Sequence, residues 1–255
     1  MARTARTNVQ PPHEKEQPQP QVHHPHQSNA LKIKLDALRT FDPLTKNQKH
    51  FFDSYKRGDY FIALHGVAGT GKTFCALYKA LEEVLDKSNP FKKIVVVRSA
   101  VQGREIGHLP GDALEKMDIY EQPYRQICET LFERKDAWER LKEQGYVEFI
   151  STSFIRGCTW DNAIIIADEI QNFGYPELHT CITRVGHMSK IIMCGDYRQT
   201  DLDKKKNDLS GIKQFLETAG MMSSHTRIEF TIDDIIRSSL VKDFLMAEIK
   251  YQDSH

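Results

Sequence analysis

Gly66-Val67-Ala68-Gly69-Thr70-Gly71-Lys72-Thr73 is the stretch on which the reading of this chain turns. Before it comes Phe61-Ile62-Ala63-Leu64, an apolar run that predicts a buried strand. After it comes Phe74-Cys75-Ala76-Leu77-Tyr78-Lys79-Ala80-Leu81, which has the spacing of an amphipathic helix. A strand, a glycine-rich loop and Lys-Thr opening a helix form the setting that a phosphate-cradling P-loop needs. The glycines let backbone N–H groups converge on phosphate oxygens, and the helix N-terminus adds partial positive charge. On this reading Gly66 to Thr73 hold a nucleotide. Lys72 reaches its β- and γ-phosphates, and the Thr73 hydroxyl ligates Mg²⁺. The competing reading is a glycine-rich turn with no ligand, and the strand and helix on either side speak against it.

Outward from the loop, strands and helices alternate. Strands are predicted at Phe61–Leu64, Ile94–Val97, Val147–Ser151, Ala163–Ala167, Lys190–Cys194 and Ile228–Thr231. Several are continuous β-branched runs, the mark of strands covered on both faces. Helices are predicted at Thr45–Tyr55, after the P-loop, at Asp112–Gln144 with a break at Gln122-Pro123, at Tyr175–Val185, at Leu209–Thr218 and at Asp233–Ile249. The alternation predicts βαβ units and therefore an α/β fold with a mainly parallel sheet flanked by helices. Residues 1–29 are rich in Pro, Gln and His and nearly empty of large apolar side chains. Such a segment cannot bury enough surface to offset its ordering entropy, so a disordered tail is expected at 1–29 and one folded domain at 30–255.

Composition sets limits on function. Lys plus Arg and Asp plus Glu both number 35, giving zero formal net charge, which argues against coating nucleic acid by bulk charge. The five cysteines are scattered with no C-x-x-C pair, and they read as small buried hydrophobes in a reducing cytosol. No apolar run approaches about 18 residues and no signal peptide is visible, so a soluble, unexported chain with no membrane role is expected.

Ligands of doubly wound sheets sit beyond the carboxyl ends of the strands. Three apolar strands here end in polar groups: the P-loop, Asp168-Glu169-Ile170-Gln171, and Gly195-Asp196-Tyr197-Arg198-Gln199. Asp168 follows four aliphatic residues, where an unpaired carboxylate is costly, and beside a P-loop its partner is the Mg²⁺ shell. Glu169 is then placed to polarise an attacking water as general base. Gln199 could donate to the γ-phosphate and sense nucleotide state, and Gln171 is a weaker candidate of the same kind. The amide of Gln48 can pair with the donor and the acceptor of adenine, which would make the nucleotide ATP. Arg237, in an apolar frame, is either a structural ion pair or a finger that neutralises γ-phosphate charge.

Several colinear segments between about Leu44 and Lys250 resemble the PhoH-like ATPases, a family that itself resembles the N-terminal motor lobe of superfamily 1 helicases. They are Gly66–Thr73, Arg98-Ser99-Ala100-Val101, Leu109-Pro110-Gly111-Asp112, Phe154-Ile155-Arg156-Gly157, Asp168-Glu169-Ile170-Gln171-Asn172, Thr183-Arg184-Val185-Gly186 and Gly195–Leu202. The resemblance implies a single RecA-like P-loop domain that hydrolyses ATP with Mg²⁺ in the cytoplasm and handles RNA or single-stranded nucleic acid. By position, Gln48 matches the adenine reader, Lys72 and Thr73 the phosphate and metal ligands, and Asp168 and Glu169 the Walker B pair. Gln199 matches the sensor and Arg237 the C-terminal arginine. Arg98 and Arg156 match family arginines without fixed roles. Val67 stands where proline is usual and Ile170 where alanine is usual. Compact one-domain members occur in bacteriophages, so a phage origin and a host-cytoplasmic location are expected, without a nuclease module.

About 200 residues make one motor lobe, not two. The resemblance therefore implies a homo-oligomer, a hexameric ring, in which Arg237 acts in trans. A nucleotide-gated switch without strand separation is the main alternative. Lys204-Lys205-Lys206 is the best basic patch for it or for nucleic acid. A P-loop kinase or a nuclease fits less well, because neither an arginine-bearing lid nor a further acidic metal cluster is visible.

Overall fold

Six strands pair into one parallel sheet: β1 (Phe61–Gly66), β2 (Lys93–Arg98), β3 (Val147–Ser151), β4 (Ala163–Asp168), β5 (Lys190–Gly195) and β6 (His225–Phe230). The structure is a computed structural model and describes residues 32–99, 113–196 and 209–253. The expected tail, Leu109–Asp112, Gln199 and Lys204-Lys205-Lys206 lie outside the described residues. The strand order is β3-β2-β4-β5-β1-β6, so β5 separates the P-loop strand from the strand that ends in Asp168. Every pairing is parallel. β1, β4 and β5 are buried along their whole length, which is why they read as unbroken apolar runs and not as alternating ones.

Helices cover both faces: α1 (Lys46–Arg57), α2 (Lys72–Leu85), α3 (Ala113–Phe132), α4 (Ala137–Glu143), α5 (Tyr175–Thr183), α6 (Leu209–Gly220) and α7 (Ser239–Asp253). Strand side chains alternate between two cores. Ile62, Leu64, Ile94, Val96, Ile164 and Ile166 share one with Phe51, Leu77, Leu131 and Trp138 of α1 to α4. Phe61, Ala63, Val95, Val97, Ile165 and Ala167 share the other with Leu178, Cys181, Ile212 and Phe215 of α5 and α6. Cys75, Cys128, Cys181 and Cys194 are buried as expected, whereas Cys158 is only half-buried. The sheet has the α/β plan that the RecA-like reading implies. Register aligns the carboxyl ends: Ser151 lies beside Arg98, Arg98 beside Asp168, and Asp168 beside Cys194.

Two helix expectations are corrected. The predicted break at Gln122-Pro123 does not occur, and α3 runs through Pro123. Pro123 cannot donate to the preceding turn. This leaves Ile119 O without its helical donor, while the carbonyls on either side also accept from arginines, Asp118 O from Arg125 Nη1 at 3.1 Å and Tyr120 O from Arg98 Nη1 at 3.5 Å. Buried Tyr124, Cys128 and Leu131 keep the helix on the core. The chain leaves the helix at Glu133 instead, which takes a left-handed φ of 52°.

The last helix does not start at Asp233. A single 3-10 turn spans Ile232–Asp234, and α7 begins only at Ser239. Asp234 binds the Thr231 N–H (2.8 Å) and Asn47 Nδ2 (2.7 Å), Ile235 is buried, and the Ile236 N–H donates to Gly69 O at 3.2 Å. These contacts pin Ile235–Ser238 across the P-loop and override its local helical pattern.

At the other end of the sheet, Gly186 donates its N–H to Trp160 O at 2.9 Å. A Cβ there would lie 2.1 Å from Asp161 Oδ1 and 2.7 Å from Trp160 O, which explains the glycine of Thr183-Arg184-Val185-Gly186 by packing. Gly186→Ala is expected to cost roughly 1–3 kcal/mol and to lower Tm by several degrees in a thermal melt. An unchanged Tm would show that the two loops separate freely.

Candidate nucleotide site

β1 delivers the chain to the loop at Gly66, whose φ is 114°. A Cβ at this position would sit 2.0 Å from Phe230 O, and the Val67 N–H donates to that same carbonyl at 3.0 Å. Glycine is required where the loop passes so close to the end of β6. The loop then closes on the first turn of α2. Lys72 Nζ lies inside it, donating to Gly66 O (2.9 Å), Val67 O (2.8 Å) and Thr70 Oγ1 (3.3 Å). Burial pushes the Lys72 ammonium down from its usual range, while the charges of Asp196, Glu169 and Asp168 oppose that shift.

Asp168, at the end of β4, is 4 % exposed and has a donor on each oxygen. Thr73 Oγ1 donates to Oδ1 at 2.8 Å, and the Tyr124 hydroxyl of α3 donates to Oδ2 at 2.8 Å. Burial and the adjacent Glu169 charge push this carboxyl up, and the two hydroxyls with the Arg98 guanidinium pull it back. Tyr124 is itself fixed by stacking on Trp138, ring centroids 5.6 Å apart.

Glu169 leaves β4 with a left-handed φ of 55°, a conformation costly for a residue with a side chain and found where the surroundings enforce it. Gln171 secures the turn beyond it. Its Nε2 donates to Glu169 Oε2, and its Oε1 accepts the Asp196 N–H at 3.0 Å. Gln171 thus ties the ends of β4 and β5 together, a stronger placement than its sequence position suggests. Gln199 lies outside the described residues.

Gln48 is 2 % exposed. Its Oε1 accepts the Leu44 N–H at 2.8 Å, and its Nε2 donates to Thr70 O at 3.0 Å, so one hydrogen and one lone pair are committed to bracing the loop. Arg237, expected to serve a neighbouring subunit, lies over the loop of its own chain. Its Cγ is 3.0 Å from where a Gly69 Cβ would stand. The Ile236–Gly69 hydrogen bond holds it there.

Loop, carboxylates and Arg237 surround an open cleft of about 500 Å³, closed on one side by Pro123, Gln126, Ile127 and Thr130 of α3. The volume suits a nucleotide. Among the described residues no group of three or more His, Cys, Asp or Glu side chains could cage a metal. Magnesium needs none, since it takes one or two protein ligands and completes its shell with phosphate oxygens and water. The touching Thr73 hydroxyl and Asp168 carboxylate fit that donor set.

The structure brings together Lys72, Thr73, Asp168, Glu169 and Arg237. Sequence reasoning missed Tyr124, whose spacing with Cys128 and Leu131 is that of an ordinary core stripe.

The family model described as PhoH-like protein matches residues 40–248. A PhoH-like protein of Bacillus subtilis is 37% identical over 206 residues, covering 80% of this chain and 62% of that protein. Protein PhoH of Escherichia coli is 31% identical over 225 residues, covering 86% and 61%. The chain therefore spans about three fifths of the length of these relatives. Among solved structures, the large terminase of a thermophilic bacteriophage in complex with ADP aligns over 79% of this chain and 49% of its own, with TM-score 0.44 and 13% identity.

Tyr124→Phe keeps the ring and removes one donor from a buried carboxylate. The folded Asp168 carboxyl titrates above its ordinary value, so its charged form is the costly one at neutral pH, and Tyr124 offsets that cost. Denaturant unfolding is expected to show a loss of about 1–3 kcal/mol near neutral pH, shrinking as pH falls and Asp168 takes up a proton. A gap that does not change with pH would mean that Tyr124 acts only by packing.

Proposed function

The chain belongs to the family described as PhoH-like protein, and from this premise we propose that it is an Mg²⁺-dependent ATPase whose turnover is coupled to RNA or another single-stranded nucleic acid. One observation carries the reading: the Thr73–Asp168 hydrogen bond, which sets the end of the loop against the carboxylate of β4 with Lys72 alongside. When bound, Mg²⁺ would neutralise charge on the β- and γ-phosphate oxygens. Thr73 would ligate it, with Asp168 behind.

This chain's own groups supply the rest. Lys72 exchanges its loop carbonyls for phosphate oxygens, which restores the solvation that burial removed. Glu169, held by Gln171, orients the attacking water and accepts its proton. Arg237, whose Cγ lies beside Gly69, would neutralise terminal phosphate charge from within its own chain. Gln48 has one amide hydrogen and one lone pair left for adenine, and Gln199 senses the γ-phosphate. A ring of identical subunits and a cytoplasmic location belong to the same proposal. No helix among the described residues is long and apolar enough to cross a membrane. The second reading, a nucleotide-gated switch, is favoured by the balanced charge of 35 basic and 35 acidic residues, which provides no bulk attraction to nucleic acid.

The test is ATP turnover with and without single-stranded RNA or DNA. Lys72→Ala is expected to lose nucleotide binding and turnover. Glu169→Gln is expected to keep binding and to lose about 10²–10⁴-fold in rate. An unaffected rate in Glu169→Gln would remove it as the base, and turnover indifferent to any strand would select the switch. Mixing Lys72→Ala with Arg237→Ala separates the two arginine geometries. A finger in trans restores activity in mixed rings, whereas an arginine in cis leaves the mixture inactive, which is the outcome expected here.

A further inference from the structure

We propose that the turn Phe154-Ile155-Arg156-Gly157 is the contact for that single strand, with Phe154 stacking on a base and Arg156 holding its phosphate. The assignment rests on the proposed action on single-stranded nucleic acid and gives it a place on the molecule.

The turn stands on the same rim of the sheet as the nucleotide cleft. β3 ends at Ser151, which pairs with Arg98, and Arg98 pairs with Asp168. Two strand spacings therefore separate Ser151 from Asp168, roughly 10 Å. From Ser151 a 3-10 turn, Thr152–Phe154, carries the chain outward. Ile155 is fully buried in the core under α5 and anchors the turn. Its two neighbours in sequence therefore face away. Phe154 is 65% exposed, and Arg156 is exposed and has no ion-pair partner among the described residues. Gly157 comes next, with open space around it.

One exposed ring is ordinary by itself; what sets Phe154 apart is the exposed arginine two positions on, in a turn anchored by buried Ile155. The surroundings say what kind of molecule fits. Its exposed neighbours along the turn, Ser153, Arg156, Gly157 and Thr159, are not apolar, so among the described residues of this turn the ring stands alone. An isolated ring beside a guanidinium suits an unstacked base joined to a phosphate. Every base has a π-face, and the arginine supplies the charge that the balanced chain lacks overall. A base inside a duplex cannot offer its face to the ring, so the preference is for single strands.

The turn is also tied to the cleft. The Thr152 hydroxyl donates to Glu177 Oε1, and the Ser99 hydroxyl reaches the same oxygen at 3.4 Å. Glu177 Oε2 accepts the Gly174 N–H at 2.7 Å. Gly174 closes the short segment that begins with Glu169 and Gln171. A strand held at Phe154 would thus sit at the end of a chain of hydrogen bonds that leads to the Glu169–Gly174 segment.

The test uses the full chain and a fluorescein-labelled mixed-sequence strand of about 15 nucleotides, as RNA and as DNA, read by anisotropy. Phe154→Ala is expected to weaken binding about 5- to 100-fold, and Phe154→Trp to restore it. Arg156→Ala is expected to weaken binding and to flatten its salt dependence by about one charge. Thermal melts confirm that each variant is folded. If the strand binds wild type and Phe154→Ala equally, the surface is wrong while the proposed function stands. If wild type binds no strand, both are wrong on nucleic acid. If Phe154→Ala changes the sedimenting species and leaves strand affinity intact, the ring packs against a second copy of this chain and the proposal is overturned.

Discussion

A carboxylate with both oxygens committed, buried at the end of β4, is the constraint on which the rest of the site depends. Asp168 cannot be desolvated without donors, because an unpaired buried charge costs several kcal/mol or more. Its donors come from separate elements, Thr73 from the first turn of α2 and Tyr124 from the middle of α3. The requirement to satisfy one side chain therefore fixes how both helices sit against the strand ends. β5 stands between β1 and β4, so the loop reaches Asp168 only because α2 leans across that strand.

The loop is held from several further sides. Gln48 takes the Thr70 carbonyl, Ile236 takes the Gly69 carbonyl, and Phe230 O accepts the Val67 N–H. Lys72 fills the interior with its ammonium on two more carbonyls. Loop carbonyls therefore turn towards protein donors, which leaves the N–H groups of the following turn to face the cleft. This is the polarity an anion requires. The ammonium is poised, since burial disfavours its charge and phosphate oxygens would restore what water no longer provides.

The middle of the sheet is legible in the sequence because β1, β4 and β5 are buried along their length and read as short apolar runs between turn residues. β6 begins three residues before its predicted start, because its first half, His225-Thr226-Arg227, carries polar groups at the sheet edge. Lys72, Thr73, Asp168 and Glu169 are readable since their chemistry is local to a strand end or a helix start. The features that escape depend on contacts distant in sequence. Pro123 reads as a break, yet Tyr124, Cys128 and Leu131, buried in the core, hold the helix through it. Ile235–Ser238 reads as helix, yet a loop glycine more than 160 positions earlier captures its backbone. Tyr124 reads as core because a hydroxyl at the end of a buried ring is invisible to periodicity. Gln171 and Arg237 are visible as candidates, but their partners, which decide their use, are not.

Arg237 packs against the loop of its own chain, its Cγ beside Gly69, and lines the same cleft as the loop and the carboxylates. The loop is braced on all sides and makes a poor moving part. The segment from Glu169 to Gly174 is different: it starts from a strained residue and is joined to its surroundings by the Gln171 amide at one end and the Glu177 carboxylate at the other. Ile170 and Phe173 anchor it in the core, and the Glu177 restraint continues to the edge of the sheet through Thr152. A contact at that edge is therefore joined through Thr152, Glu177 and Gly174 to the segment that carries Glu169.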